Sequence, residues 1–410
     1  MQTERESSKD NPISVCMLTH SIYSRDTRIR RLAEYLAADG HRVDVICLAP
    51  DTPEDPVDLT NVRVFPLPVS RRRRERLGLI FEWIVTFVLM FLSTTRLDLK
   101  NRYDLIHVHN MPDFLVFCAM LPRLRGCPVI LNIHDVTPQV ARSKLGLSSD
   151  HPLIRVLTAI ERICIKFSTY VITETRVAAK SLIEEGAPPD KVGIVMNAAD
   201  ARVFEPDEKN VDRHPQSGPF TILFVGTVAR RYGLETCVRA LPYLEQAIPD
   251  VRLRVIPKVK HEGVALDECL ALADSMGVSD LIELSDPVPL EHMPAVMINS
   301  NIGLYPALVD CHMDVSPSLK IPEMVNMGLP IVASRLSWLV ELYGEDSIAF
   351  VPAGDAKALA DRILELYQSP GERTRLARNA MKRGAALSWE EQYGAYKEVL
   401  GTLLPGMKGS

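Results

Sequence analysis

Short apolar runs that break off in polar or ionisable residues, each followed by a stretch of helical periodicity, recur along most of the chain. Ser14-Val15-Cys16-Met17-Leu18 stops at Thr19-His20-Ser21. A helical pattern through Ile29, Leu32, Ala33 and Leu36 then runs to Gly40, and residues 41–49 are strand-like again. Runs this uniformly apolar suit strands covered by helices on both faces, so the pattern predicts β-α-β units and a parallel sheet. Further strands are expected at 105–109, 128–135, 170–174 and 192–197. A second series starts at Phe220-Thr221-Ile222-Leu223-Phe224-Val225-Gly226-Thr227 and continues at 251–256, 281–284, 302–305, 331–333 and 348–351.

At 410 residues the chain exceeds one ordinary core. Residues 199–219 turn polar and proline-punctuated, a linker composition. The expected fold class is α/β, with two doubly wound Rossmann-like domains facing across a cleft. The expected domains are 1–205, 206–385, and a C-terminal helix over 386–410 that leans back on the first domain through Trp389, Tyr393, Tyr396 and Leu400.

The stretch from Ser316 to Ser334 reads as loop, short helix and buried strand. Ser316 and Ser318 are expected to cap the helix, Pro322 fits only a first turn, and Gly328 before Pro330 marks its end. Amides at such a tip favour phosphate and Lys320 adds a cation, while Glu323, one turn on, is placed to accept the two hydroxyls of a ribose. The plainer reading gives Glu323 to the helix dipole and Lys320 to solvent.

A net charge of −5 gives no footprint for nucleic acid, and none is expected as a partner. Eight cysteines without C-x-x-C spacing suit a reducing compartment, and the polar start lacks a signal-peptide core, so a cytoplasmic location is expected. Arg71-Arg72-Arg73-Arg74 and Arg76 precede an apolar run from Leu77 to Leu92 that is interrupted by Glu82 and falls short of the ~20 residues of a spanning helix. Glu82, Thr86 and Ser93 fall near one side. The broad greasy side either packs on a sheet as core or lies on the inner face of the plasma membrane beside anionic head groups.

His107 and His109 share a side of their strand, and His134 is the polar end of a nearly all-apolar one. No metal is expected at these histidines or at Asp310-Cys311-His312-Met313-Asp314, which reads instead as a substrate-facing loop.

In their order along the chain, the stretches Ser24-Arg25-Asp26-Thr27-Arg28, Tyr103-Asp104-Leu105-Ile106-His107-Val108-His109-Asn110, Ile133-His134-Asp135, Gly226-Thr227 with Arg231-Tyr232-Gly233-Leu234, and Pro317-Ser318-Leu319-Lys320-Ile321-Pro322-Glu323 resemble the retaining, nucleotide-sugar-dependent glycosyltransferases of family 4. Those enzymes have the two-domain GT-B fold, and the likeness is nearest to bacterial polysaccharide enzymes. It implies transfer of a sugar from a UDP- or GDP-linked donor, a substrate and not a cofactor, to a polysaccharide, glycan or lipid-linked acceptor. Transfer would need no metal.

Carried over by position, the resemblance makes His134 and Glu323 catalytic. Gly226, Thr227, Arg231, Ser318, Leu319, Lys320 and Glu323 become donor-binding, and Arg28, His109 and Asp113 lie on the acceptor side. The family's first glutamate has its place at Val315. Thr227 and Tyr232 stand where its phosphate-binding Arg and Lys are usual, and Pro257-Lys258-Val259-Lys260-His261-Glu262-Gly263 replaces a glycine-rich loop. A nucleotide-sugar epimerase and a non-catalytic binding protein of the same fold are the alternatives.

Overall fold

The computed structural model describes residues 12–50, 61–69, 76–212, 215, 217–259 and 263–405. The chain divides into two compact units, Met1–Met196 with Gln392–Ser410, and Asn197–Glu391. The first holds β1 (Ser14–Ile22), β2 (Arg42–Leu48), β3 (Val62–Leu67), β4 (Leu105–His109), β5 (Val129–Ile133), β6 (Tyr170–Thr173) and β7 (Val192–Ile194), parallel and ordered β3-β2-β1-β4-β5-β6-β7. Its helices are α1 (Thr27–Ala38), α2 (Arg76–Asn101), α3 (Met120–Leu124), α4 (Thr137–Leu145), α5 (Pro152–Phe167) and α6 (Arg176–Glu184).

The second unit repeats the plan. Strands β8 (Phe220–Gly226), β9 (Val251–Pro257), β10 (Ile282–Leu284), β11 (Ile302–Tyr305), β12 (Ile331–Ser334) and β13 (Ala349–Val351) run parallel in the order β10-β9-β8-β11-β12-β13. They carry α7 (Leu234–Glu245), α8 (Val264–Ser275), α9 (Met293–Ile298), α10 (Lys320–Asn326), α11 (Ser337–Tyr343), α12 (Ala356–Gln368) and α13 (Pro370–Ala385). A last helix, α14 (Trp389–Leu403), begins in the second unit and ends in the first. Both units are thus Rossmann-like. In each, strand order reverses between two neighbours, β1/β4 and β8/β11, and ligands of such sheets sit at the carboxyl ends beside that reversal.

Three details depart from the sequence expectations. The strand β3 was not anticipated, because Pro66 interrupts it; it lies at the sheet edge, where a missing N–H is tolerated. The proline-rich segment after residue 199 is not a free linker, since Phe204 and Val211 are buried and Asn326 donates from Nδ2 to the Phe204 carbonyl at 3.0 Å. The third is α2, whose most buried line is Glu82, Thr86, Met90, Thr94 and Asp98, spaced four apart and largely polar; Val85, Phe87, Leu89, Phe91 and Leu97 pack half-buried against the core on its flanks, and the row from Phe81 through Leu92 faces out. Glu82 lies 3.4 Å from His20 Nε2, and Asp98 takes Arg125 at 2.5 Å and the Tyr103 amide at 3.1 Å. Among the described residues no helix is long and apolar enough to cross a membrane. Arg71–Arg74 lie outside the described residues.

Helix α14 closes the first unit. Gln392 Oε1 accepts the Met196 amide at 2.8 Å, Tyr393 donates to Asp39 at 2.9 Å, and the Tyr396 hydroxyl meets His107 Nδ1 at 3.0 Å with the two rings stacked. Both His107 and Tyr396 are fully buried, so the phenylalanine variant strips the imidazole of its partner. Tyr396→Phe should therefore lower stability to urea by about 1–2 kcal/mol while leaving far-ultraviolet circular dichroism unchanged.

Candidate functional site

In the second unit the reversal between β8 and β11 gathers the residues read as donor-binding. The strand β8 ends at Gly226, whose φ of 107° lies where side chains strain. A Cβ there would run into the Lys320 side chain, so Lys320 lies directly over the strand end. Thr227 follows, half-buried. The next turn, Arg230–Tyr232, ends in Gly233 at φ 75°, where a Cβ would strike the Pro306 carbonyl just beyond β11. The two strand ends close onto each other because this position has no side chain. Lys320 Nζ lies 4.4 Å and the Arg231 guanidinium 5.1 Å from the centre of the Tyr232 ring, two cations against one aromatic ring. The Arg231 carbonyl accepts the Leu308 amide at 2.8 Å, which ties this turn to the segment after β11.

The helix expected here forms, α10 beginning at Lys320 with Glu323 in its first turn, but its cap is not one of the expected serines. Leu319 is the N-cap residue without a side-chain hydrogen bond, and Ser318 contributes its carbonyl to the Ile321 amide at 3.2 Å. The Ser318 side chain is engaged with Tyr305, whose phenol burial pushes well up, so it keeps its proton. Val315 is buried. The loop 310–314 is a turn built from its own acids. Asp310 accepts the amides of His312 and Met313 at 2.8 Å, and Asp314 accepts the Ser337 amide and hydroxyl at 2.7 Å. Among the described residues no cluster of His, Cys, Asp and Glu has the make-up of a metal site.

In the first unit the carboxyl ends of β4, β5 and β6 set His109, His134 and Glu174 in a row. His134 Nδ1 lies 2.8 Å from Glu174 Oε1, and His134 Nε2 lies 3.1 Å from His109 Nδ1. The His109 ring stacks on His107 at 4.3 Å and on His134 at 5.4 Å. Desolvation, then the neighbouring imidazoles and Arg28, hold His109 well below its usual range, while burial with His134 takes His107 down to about 3. A carboxylate can only accept, so His134 Nδ1–H donates to Glu174, while Nε2 shares a hydrogen bond with His109 Nδ1. Both nitrogens of His134 are thus engaged within the protein. Arg28, half-buried, donates from Nε to Asp26 at 3.3 Å; desolvation opposes it, but Arg28 and then His134 hold the Asp26 carboxyl below the usual range.

Sequence reasoning missed two residues of this arrangement. Glu174 was seen only as a strand end. Asn110 accepts the His134 amide at 2.9 Å and donates to the Asp135 carbonyl at 2.6 Å and to Asp113 at 2.8 Å, so one side chain clamps the whole turn. The polar residue after each apolar run was the available signal, and it is strongest at Asn110. Asp113, read as acceptor-side, is buried at the start of the turn Asp113–Ala119, and desolvation raises its pKa. Near it Glu161 of α5 is wholly buried among the described residues and makes no hydrogen bond to a side chain. Desolvation, then Asp113 and Glu185, push it up to about 9, so it is neutral at pH 7. It borders a cavity of about 420 Å³ between α4 and α5 that also touches Arg142 and Arg155.

Two family models match the chain. One, described as a glycosyl transferase 4-like domain, matches residues 26–198, and the other, described as glycosyl transferases group 1, matches residues 219–369. Among curated relatives, D-inositol 3-phosphate glycosyltransferase of Pseudarthrobacter chlorophenolicus is 24% identical over 399 residues, 92% of each chain. The enzyme of that name from Thermobifida fusca is 25% identical over 395 residues, 91% of this chain and 88% of its own. Among solved structures, sucrose-phosphate synthase from Thermosynechococcus elongatus superposes with a TM-score of 0.78 at 18% identity, over 96% of this chain and 99% of that one. Anabaena HepE in complex with UDP-glucose gives 0.69 at 14% identity, over 95% and 99%.

Two substitutions test the geometry. Gly233→Ala should destabilise the second unit by about 2 kcal/mol or more, read as a lowered urea midpoint, because the new methyl meets a backbone carbonyl. For Glu161 the sign is opposite to that of a paired carboxylate. The raised pKa means the folded state holds a proton that the unfolded chain releases above about 4.5, so native stability falls as pH climbs from there towards 9. Glu161→Gln should therefore be close to neutral at pH 4.5 and stabilising by about 2 kcal/mol or more at pH 8, measured by urea unfolding at both.

Proposed function

The chain is a glycosyltransferase of the GT-B fold, a glycosyl transferase 4-like domain followed by a group 1 domain, and from that premise we propose that it moves a sugar from a nucleotide-diphosphate donor to an acceptor hydroxyl with retention at the anomeric carbon. The observation that carries the donor reading is the convergence of Gly226, Arg231 and Lys320 at the β8/β11 reversal, with Glu323 in the first turn of the helix that Lys320 opens. The glycine makes room for Lys320 over the strand end, the two cations meet the charge of the diphosphate, and Glu323 accepts from the ribose hydroxyls.

Chemistry follows from where charge develops. As the bond to the anomeric carbon stretches, negative charge accumulates on the departing diphosphate, and Arg231 with Lys320 stabilises it there more than in the bound donor. The same diphosphate oxygen takes the acceptor's proton on the face it leaves, so the new bond forms on that face. These cations are side chains of the protein, so the reaction is read as metal-independent. On the first unit His134, fixed by Glu174 and by the Asn110 clamp, keeps the catalytic role that the family resemblance gives it. Arg28, His109 and Asp113 stand towards the acceptor. The relatives' name adds a phosphorylated inositol to the glycan and lipid-linked hydroxyls as an acceptor class, and Arg28 suits the anionic ones.

Calorimetry against a panel of UDP- and GDP-linked sugars should find one donor bound by the wild type, with affinity lowered about 100-fold or more in Glu323→Ala. Turnover of that donor should persist in EDTA, and nuclear magnetic resonance of the product should show the donor's anomeric configuration. Absence of donor binding would refute the assignment, and a donor altered without acceptor would give the site to an epimerase.

A further inference from the structure

The surface of the first unit that carries α2 is apolar, and every exposed charge on its helices is basic. On α2 the outward residues Phe81, Ile84, Val88, Leu92 and Leu99 are 61, 56, 48, 57 and 67% exposed, a row at helical spacing opposite the buried polar side described above. An ordinary surface helix has the reverse arrangement. The row does not stand alone. Phe114 stacks edge-on against Trp83 and Phe87 of α2, and Phe117 against Phe167 of α5, so the turn Asp113–Ala119 joins α2 to α5. Leu124 of α3, 78% exposed, and Val156 and Ile163 of α5 carry the apolar surface across. Exposed apolar area spread over three helices exceeds the isolated leucines that any soluble surface shows.

The charges choose the occupant. The acids of α2, of α5 and of the turn between them are Glu82, Asp98, Asp113 and Glu161, and all four are buried. Exposed on the same helices are Arg96 and Lys100 of α2 and Arg155 and Lys166 of α5, while Arg162 of α5 is paired with the exposed Glu185 at 3.0 Å. A second copy of this surface would bring its cations against these, whereas anionic lipid head groups complement them while acyl chains take the apolar row. We propose that this face of the first unit docks on an anionic bilayer surface, with α2 lying along the interface and the cations at its margins.

The test is co-sedimentation of the full chain with vesicles of phosphatidylcholine alone or mixed with phosphatidylglycerol, which needs neither donor nor acceptor and so stands or falls apart from the transferase reading. Wild-type protein should sediment with the anionic vesicles, not the neutral ones, and should release as salt is raised. Ile84→Ser with Leu92→Ser should weaken binding about tenfold or more, and Arg155→Glu with Lys166→Glu likewise, both with unchanged thermal melts because the sites are exposed. Failure of the wild type to bind anionic vesicles, or undiminished binding by the serine variant, would overturn the proposal. Sedimentation equilibrium showing a dimer that the serine substitutions dissolve, without vesicle binding, would assign the face to a second copy.

Discussion

Parallel pairing is the constraint on which the molecule depends. Every strand in both sheets runs the same way, so every carboxyl terminus emerges on one edge of its sheet, and the crossover helices lie on the faces. Where strand order reverses, adjacent loops turn to opposite sides and leave a crevice. Gly233 holds that crevice closed at its base in the second unit, because the loop after β8 and the segment after β11 touch through a position without a side chain. Lys320 and Arg231 then both lie against the Tyr232 ring, whose π system attracts each of the two like charges.

The first unit solves a different problem at its carboxyl edge. Three imidazoles are removed from water side by side, and burial makes the charged form expensive for the inner two. The row remains ordered because a carboxylate anchors one end and a phenol the other, from Glu174 through His134 and His109, and from His107 to Tyr396. Orientation of these rings is therefore set before any ligand arrives, the condition under which electrostatic groups act without reorganisation.

How much of this was legible in the sequence varies with the range of the interaction. Strands such as Ile302–Tyr305 and Ile331–Ser334 were readable because uniformly apolar runs have few other ways to satisfy their backbones, Gly226 and Gly233 because they follow a strand, and Lys320 because it stands at a helix tip. The edge strand at Val62–Leu67 was not, since its proline argues locally against a strand and only its place in the sheet excuses it. Nor were the partners of His134: Glu174 lies 40 positions away, and no periodicity links the two. On α2 the spacing marked Glu82 and Thr86 as one side, but which side faces the protein depends on His20 and Arg125, which sit on other elements.

The route of α14 has a consequence for biosynthesis. Residues that finish the first unit, Gln392, Tyr393 and Tyr396 among them, leave the ribosome only after the whole second unit has been made. A nascent chain thus carries a complete β1–β7 sheet whose buried His107 still awaits its phenol, while the later sheet, continuous from Asn197 to Glu391, can close within its own stretch of chain. Vectorial synthesis reverses the usual order here: the half translated first is the half completed last.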